Sequence, residues 1–310
     1  MRAVFLGTPE FAVPSLRALA FEHQVEAVFT QPDRPKGRGN KVVESPVKQA
    51  AAGLGIRVLQ PERIRRSPNP ELIASFSPEL MVVVGYGQLI PQTIIDIPKH
   101  GILNVHASLL PKYRGAAPIQ WAIANGETRT GVTIMQIDAG LDTGDMLLAQ
   151  ALNIGPDETA PELSARLAAI GAELLLEAIR RIEDGSVHRE KQDAGEATLA
   201  PILRKEDGWI EWRHPAQEIY NRLRGFTPWP GAYTSFRGTQ LSIVRARPAE
   251  KTSLQPGELL GEKRRLFAGC GGGTSLELLE IQPAGKNRMK AEAFLNGYSL
   301  HANEMLGVKL

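Results

Sequence analysis

The chain has 310 residues, 43% hydrophobic and 23% charged, the composition of an ordinary globular protein with room for two domains. Its formal net charge is only +2, and the basic excess falls beyond residue 185, which permits a polyanionic partner without demanding one. A single cysteine, Cys270, excludes an internal disulfide and a thiolate metal cage, and the six histidines lack ligand-like spacing, so no metal is expected. No apolar run reaches bilayer length, and no leader with a small-residue cleavage site follows "MRAVFLG". The expected location is the cytoplasm, with no membrane partner.

The first half alternates strand-like and helix-like segments. "RAVFLG" reads as a buried strand, Pro14 opens the helix "PSLRALA", and "VEAVFT" is the next strand. "SPVKQAAAGLG" carries a full set of helix signals, with Ser45 as N-cap, Pro46 in the first turn and glycine at the end. Then come the strand "IRVLQ", the helix "PELIASF" and the wholly apolar "LMVVVGYG", suited to a central parallel strand. "GILNVH" is a strand, "APIQWAIANG" a helix and "TGVTIMQI" a strand. The long helix "TAPELSARLAAIGAELLLEAIRRIEDG" then closes the domain on a stripe of Leu163, Leu167, Ile170, Leu174, Ala178 and Ile182. Such alternation predicts an α/β domain, a parallel sheet with helices on both faces, over residues 1–185. Residues 186–203 are polar and aperiodic, and read as a linker. Over 204–310 a helix, "HPAQEIYNRLRGF", precedes short strands: "AYTSFRG", "LSIVRARP", "GELLGE", "RRLFAG", "TSLELLEIQ" and "KAEAFL". That pattern predicts a small barrel or sandwich.

In an open α/β sheet, ligands sit beyond the carboxyl ends of the strands. "GILNVHAS" puts Asn104 and His106 at such an end, two apart and so on one face of the strand. They are either paired donors aimed at a substrate or caps on loop carbonyls. "DAGLDTGDM" follows another strand and interleaves Asp138, Asp142 and Asp145 with glycines; its spacing does not match a calcium loop. Amide, imidazole and carboxylate without an activated nucleophile suit direct transfer through a tetrahedral oxyanion. "QPDRPKGRGNK" places Arg34, Lys36, Arg38 and Lys41 between a strand and a capped helix. It is a solvated charge run or a loop for nucleic-acid backbone, and it lacks the order of a P-loop. Gly7 after the first strand lacks the dinucleotide fingerprint, so no nicotinamide cofactor is expected.

"NVHASLLPKYRGAAPIQWAI" followed by "GVTIMQIDAGLDTGDML" resembles the signature of the 10-formyltetrahydrofolate-dependent formyltransferases. "FLGTPEFAVPSL", "QPDRPKGRG", "SPVK", "VVVGYG" and "GFTPWPGAY" resemble the members that act on initiator methionyl-tRNA, and the likeness runs from end to end. The resemblance implies a Rossmann-like, mostly parallel catalytic domain, a linker and an OB-like β-barrel that binds tRNA. It implies formyl transfer from 10-formyltetrahydrofolate, as co-substrate, to the α-amino group of initiator methionyl-tRNA. Asn104, His106 and Asp142 stand at the catalytic positions, with Ala107 where many relatives have glycine. Ser108, Leu109, Leu110 and Pro111 stand at the folate-binding turn. Arg34, Lys36, Arg38 and Lys41 stand in the tRNA-directed loop, with Arg38 the matching arginine. The backbone around "VGYGQLI" is the expected grip on the pterin, and a monomer is expected.

Overall fold

Ala3, Val4, Phe5 and Leu6 are completely buried and form the centre of strand β1 (Arg2–Gly7), which lies in the middle of a seven-stranded sheet. The computed structural model describes residues 1–36, 41–250 and 254–307. In chain order come helix α1 (Val13–Glu22), β2 (Gln24–Phe29), the hairpin strands β3 (Arg34–Lys36) and β4 (Lys41–Val43), α2 (Pro46–Gly53), β5 (Val58–Leu59), α3 (Asn69–Ser75), β6 (Leu80–Val84), α4 (Gln92–Ile95) and β7 (Ile102–His106). They continue with α5 (Pro118–Ala124), β8 (Arg129–Gln136), β9 (Met146–Asn153) and α6 (Ala160–Glu183). Ser45 caps α2 as its sequence signals predict, its hydroxyl accepting from the Lys48 N–H at 3.0 Å.

The main sheet has the order β5-β2-β1-β6-β7-β8-β9. Strands β5, β2, β1, β6 and β7 are parallel, but β8 runs antiparallel to β7 and β9 antiparallel to β8. The sheet is therefore mostly parallel rather than wholly so. The direction of β8 changes the logic of the aspartate loop. Gln136, at the carboxyl end of β8, lies opposite Leu103, near the start of β7. The loop after β8 thus begins at the end of the sheet away from His106 and must fold back to reach it.

Helix α6 buries Leu163, Leu167, Ala168, Ala172, Leu175, Ala178 and Ile179. Its buried stripe is rotated from the predicted one: Ile170, Leu174 and Ile182 lie half-buried at the margin. Gly171 sits on the buried side, where an added Cβ would come within 2.8 Å of Val105 in β7. The helix therefore packs against the face of β7 that carries Val105, which leaves Asn104 and His106 on the opposite face.

Residues as far as Pro201 group with this first unit, made of Met1–Pro118, Arg129–Asn153 and Glu162–Pro201. The second unit takes Ile119–Thr128, Ile154–Pro161 and Ile202–Leu310. It contains α7 (Ala216–Gly225), the strands β10 (Ala232–Phe236), β11 (Thr239–Ala249), β12 (Leu259–Glu262), β13 (Arg265–Gly269), β14 (Ser275–Pro283) and β15 (Met289–Lys290), and α8 (Ala291–Gly297). Its antiparallel path is β10-β11-β14-β13-β12, with β15 on β14. Residues 304–307 bridge both edges: Gly307 N–H donates to Ser235 and Leu306 N–H to Gly257, while Leu259 N–H donates to Glu304. Those bonds close the sheet in the manner of a barrel. "KAEAFL", predicted as a strand, is mostly α8; Ala, Glu and Leu favour helix, and Ala291 and Phe294 bury one face at i, i+3.

Glu277 on β14 lies between Arg247 on β11 and Arg265 on β13, with closest approaches of 2.9 and 2.6 Å. The hydrogen bonds from Arg265, and then those from Arg247, hold its carboxyl down to about 2. A depressed carboxylate adds stability that is complete above its unfolded value and disappears as pH falls through the folded one. Glu277→Gln is expected to cost about 2 kcal/mol at pH 7, after allowance for screening of the half-exposed arginines. Urea denaturation at pH 7 and pH 3 checks this, since the gap between the variant and the parent should narrow at the lower pH.

Candidate active site

Strand β7 is buried throughout, yet two of its residues, Asn104 and His106, carry polar side chains. Buried polar groups need partners; Asn104 finds one in Asp142, and His106 finds one in the backbone carbonyl of Tyr113 with Asp142 close by. Asn104 Nδ2 donates to Asp142 Oδ1 at 3.3 Å, and His106 Nδ1 lies 3.8 Å from Asp142 Oδ2. The same Oδ2 accepts the backbone N–H of Gly115 at 2.9 Å. Asp142 has φ +50, a left-handed conformation that Asp tolerates better than most residues. The loop between β8 and β9 turns back in this way, and brings its carboxylate to the carboxyl end of β7.

The ring of His106 is oriented from its other side. Nε2 lies 3.0 Å from the carbonyl oxygen of Tyr113. A carbonyl only accepts, so Nε2 carries the proton and donates, which leaves Nδ1 as the nitrogen that faces Asp142. Tyr113 is itself set by its N–H, which donates to Thr198 Oγ1 at 2.9 Å. Two residues on, Gly115 has φ +122, and a Cβ there would approach the Ala200 carbonyl to 2.6 Å. Only glycine fits between that carbonyl and the aspartate.

The 108–111 turn is stapled to the sheet by Thr133, the cross-strand neighbour of His106. Thr133 Oγ1 donates to the Ser108 carbonyl at 2.7 Å and accepts from Leu110 N–H at 3.1 Å. Ser108 is wholly buried and its hydroxyl donates to the Lys112 carbonyl at 2.6 Å. Its hydroxyl therefore shapes the turn, and of the four residues only Leu109 and Pro111 keep partial exposure. The Leu110–Pro111 peptide is cis.

Arg34, Lys36 and Lys41 stand on the β3–β4 hairpin rather than on an irregular loop; Arg38 lies outside the described residues. The hairpin follows the carboxyl end of β2, three strand spacings or about 14 Å along the sheet from β7. The hairpin forms its own two-stranded sheet, and neither of its strands pairs with β7. The base of the hairpin is pinned: Asp33 pairs with Lys48 and accepts from Gln60 Nε2 at 2.7 Å, and Lys48 also reaches Glu44 at 3.0 Å. The Lys48 ammonium holds the Asp33 carboxyl below the usual range.

The "VGYGQLI" segment leaves the carboxyl end of β6, the strand beside β7. Tyr86 turns its ring into the apolar core with Val4, Leu6 and Phe29, while its carbonyl accepts from Thr8 Oγ1 and Gln31 Nε2. Leu89 in the same segment is 79% exposed. In the second unit, burial pushes the Cys270 thiol up to about 12, which is no setting for a thiolate nucleophile.

The formyl transferase family model matches residues 1–179, and a model of the C-terminal domain of formyl transferases matches 202–299. The chain belongs to the formyl transferase family. Among curated relatives, a methionyl-tRNA formyltransferase of Solibacter usitatus is 56% identical over 309 residues, which are 99% of each chain. One of Geobacter metallireducens is 49% identical over 98% of each. Among solved structures, a Helicobacter canadensis N-formyltransferase, complexed with folinic acid and dTDP-3-aminofucose, is similar with a TM-score of 0.65 at 20% identity. It covers 91% of this chain and 98% of its own. A sugar 3N-formyl transferase has a TM-score of 0.68 at 19% identity, over 93% and 99%. That degree of likeness shows a shared fold.

Sequence reasoning missed several residues that contact the candidate site. Thr133 had a cross-strand position but no chemical signal. The Tyr113 carbonyl is backbone and leaves no trace in sequence. Arg114 carried no reading of its own, and Gln192 lies in the stretch expected to be a linker. Only Gly115, a glycine four residues beyond the "SLLP" turn, offered a cue to close backbone approach.

Proposed function

We propose that the protein transfers a formyl group from 10-formyltetrahydrofolate to the α-amino group of methionine on initiator methionyl-tRNA, in the cytoplasm and as a monomer. The observation that carries the reaction type is the convergence of Asn104, His106 and Asp142 at one sheet edge. The end-to-end identity to methionyl-tRNA formyltransferases carries the acceptor.

The attacking group is a neutral amine; a free α-amino group titrates near 8, roughly, and esterification lowers that by induction. As nitrogen bonds to the formyl carbon, the carbonyl electrons move onto oxygen. One N–H of the Asn104 amide is engaged by Asp142, and the second is the donor left for that oxyanion. Because Nε2 of His106 is spent on Tyr113, only Nδ1 can exchange a proton with the reacting groups. Nδ1 takes the proton shed by the attacking amine, and Asp142 stabilises the imidazolium. The tetrahedral carbon then expels the N10 nitrogen of tetrahydrofolate, which takes the proton in turn. A protonated Nδ1 is also the only form in which His106 can support the oxyanion.

Transfer of labelled formyl to charged initiator tRNA tests the reading, with elongator methionyl-tRNA and a nucleotide-linked amino sugar as competing acceptors. Preference for the sugar would overturn it. The basic hairpin is assigned to tRNA phosphate. Arg38→Ala is expected to raise KM for tRNA and to reduce the slope of log(kcat/KM) against log salt by about one counterion. An unchanged slope would remove Arg38 from the interface.

A further inference from the structure

The stretch after α6 makes contacts that a spacer between domains does not require. Glu190 exchanges both backbone hydrogen bonds with Met146, at 2.8 and 2.9 Å, just after the aspartate loop. Further along, Arg114 N–H donates to Thr198 at 2.8 Å, and Ala200 N–H donates back to Arg114 at 2.7 Å. Between these two anchor points Gln192 reaches inward. Its Nε2 donates to the carbonyls of Asp142 at 2.9 Å and Gly144 at 2.7 Å. Its Oε1 accepts from Arg114 Nε at 2.9 Å and Nη2 at 2.8 Å.

We propose that Gln192 and Arg114 are positioning residues for the transfer reaction, a single amide–guanidinium clamp that holds the Asp142 loop and the Tyr113–Gly115 turn in register with each other. This rests on the reading of Asp142 and His106 as members of the reacting site. The argument is one of geometry. Asp142 occupies a left-handed conformation at the tip of a loop that folds back against the direction of its strand. The Tyr113–Gly115 turn holds it through Gly115 N–H, and that turn also supplies the carbonyl that fixes His106. Gln192 joins the two turns directly: both amide protons go to the aspartate loop, and the oxygen goes to the residue between Tyr113 and Gly115. A glutamine satisfies this set and its isostere glutamate does not, because the loop side presents two acceptors and the arginine side presents two donors.

Three variants test it, with turnover, both KM values and the thermal midpoint read for each. Gln192→Met keeps the length and removes the bonds. It is expected to lower kcat about 100-fold, the usual order for small misplacement of reacting groups, with both KM values near those of the parent. Gln192→Glu keeps the shape and strengthens the pair with Arg114 but turns acceptor against acceptor at Asp142, and is expected to lose as much. Asp142→Ala supplies the background that separates positioning from general support of the fold. There Gln192→Met should cost nothing further, since no carboxylate remains to be held. Parental turnover in both Gln192 variants, beside a crippled Asp142→Ala, would overturn the clamp and leave the site reading intact. An undiminished 100-fold loss in the Asp142→Ala background would also overturn it. Parental turnover in Asp142→Ala itself would overturn the site reading.

Discussion

Asn104→Ala is expected to lower kcat by about 10²–10³, the range found for loss of one oxyanion donor, or about 3–4 kcal/mol of transition-state stabilisation. KM for the folate should stay within a factor of a few, because the lost bond forms only as charge develops on oxygen. The amide is buried at 8% exposure on a strand covered behind by α6, so the substitution removes a fixed donor and not a mobile one. A second substitution separates the donor from the packing. Asn104→Asp keeps the shape but sets a carboxylate against Asp142 Oδ1, 3.3 Å away in the parent. Two like charges at that distance repel, and Asn104→Asp should be worse than Asn104→Ala. Steady-state kinetics with both substrates varied checks both. Parental turnover in Asn104→Ala would remove the amide from the mechanism.

Asp142→Asn is expected to cost more, on the order of 10³ in kcat, for a reason visible in its partners. The carboxylate accepts on both oxygens, from Asn104 Nδ2 on one side and Gly115 N–H on the other. An amide offers one acceptor and one donor group. Whichever way it turns, it must face one of those donors with another, and a buried donor left unsatisfied costs about 1–3 kcal/mol. The negative charge beside His106 Nδ1 disappears as well. Asn tolerates the left-handed backbone that Asp142 adopts, so the loss is electrostatic and does not come from refolding of the loop. Single-turnover formyl transfer with prebound tRNA checks the chemical step directly. A turnover above a tenth of the parent would show that the carboxylate is not needed.

Much of the first unit was readable because its signals are local. Apolar runs mark β1, β6 and β7, Ser45 and Pro46 mark the start of α2, and the i, i+2 spacing alone puts Asn104 and His106 on one face. Strand direction was not readable. "TGVTIMQI" has the same apolar pattern whichever way it runs, and only the sheet pairing reveals that β8 reverses. The sequence therefore puts the aspartate loop near Asn104 and His106 for an incomplete reason: it comes to lie beside them by folding back, and not because its strand points there. The segment 186–203 reads as a linker, yet it groups with the first unit as far as Pro201. Its polar composition matches a linker because its ties to the first unit are made by backbone and by the polar side chains of Gln192 and Thr198, and neither leaves an apolar signature. In the second unit "KAEAFL" looked strand-like beside its neighbours. What decided it was the fit of Ala291 and Phe294 into the core as one helical face.

The reversal of β8 carries a consequence for how such a centre can change over time. A loop that leaves the far end of its strand and doubles back is held at its root, where Ile137 N–H donates to Ile102, and at its tip by Gly115, so its length sets where the carboxylate lands. An insertion close to residue 138, where Asp138 accepts from Gly140 and Thr143, should therefore displace the carboxylate as surely as one beside Gly115.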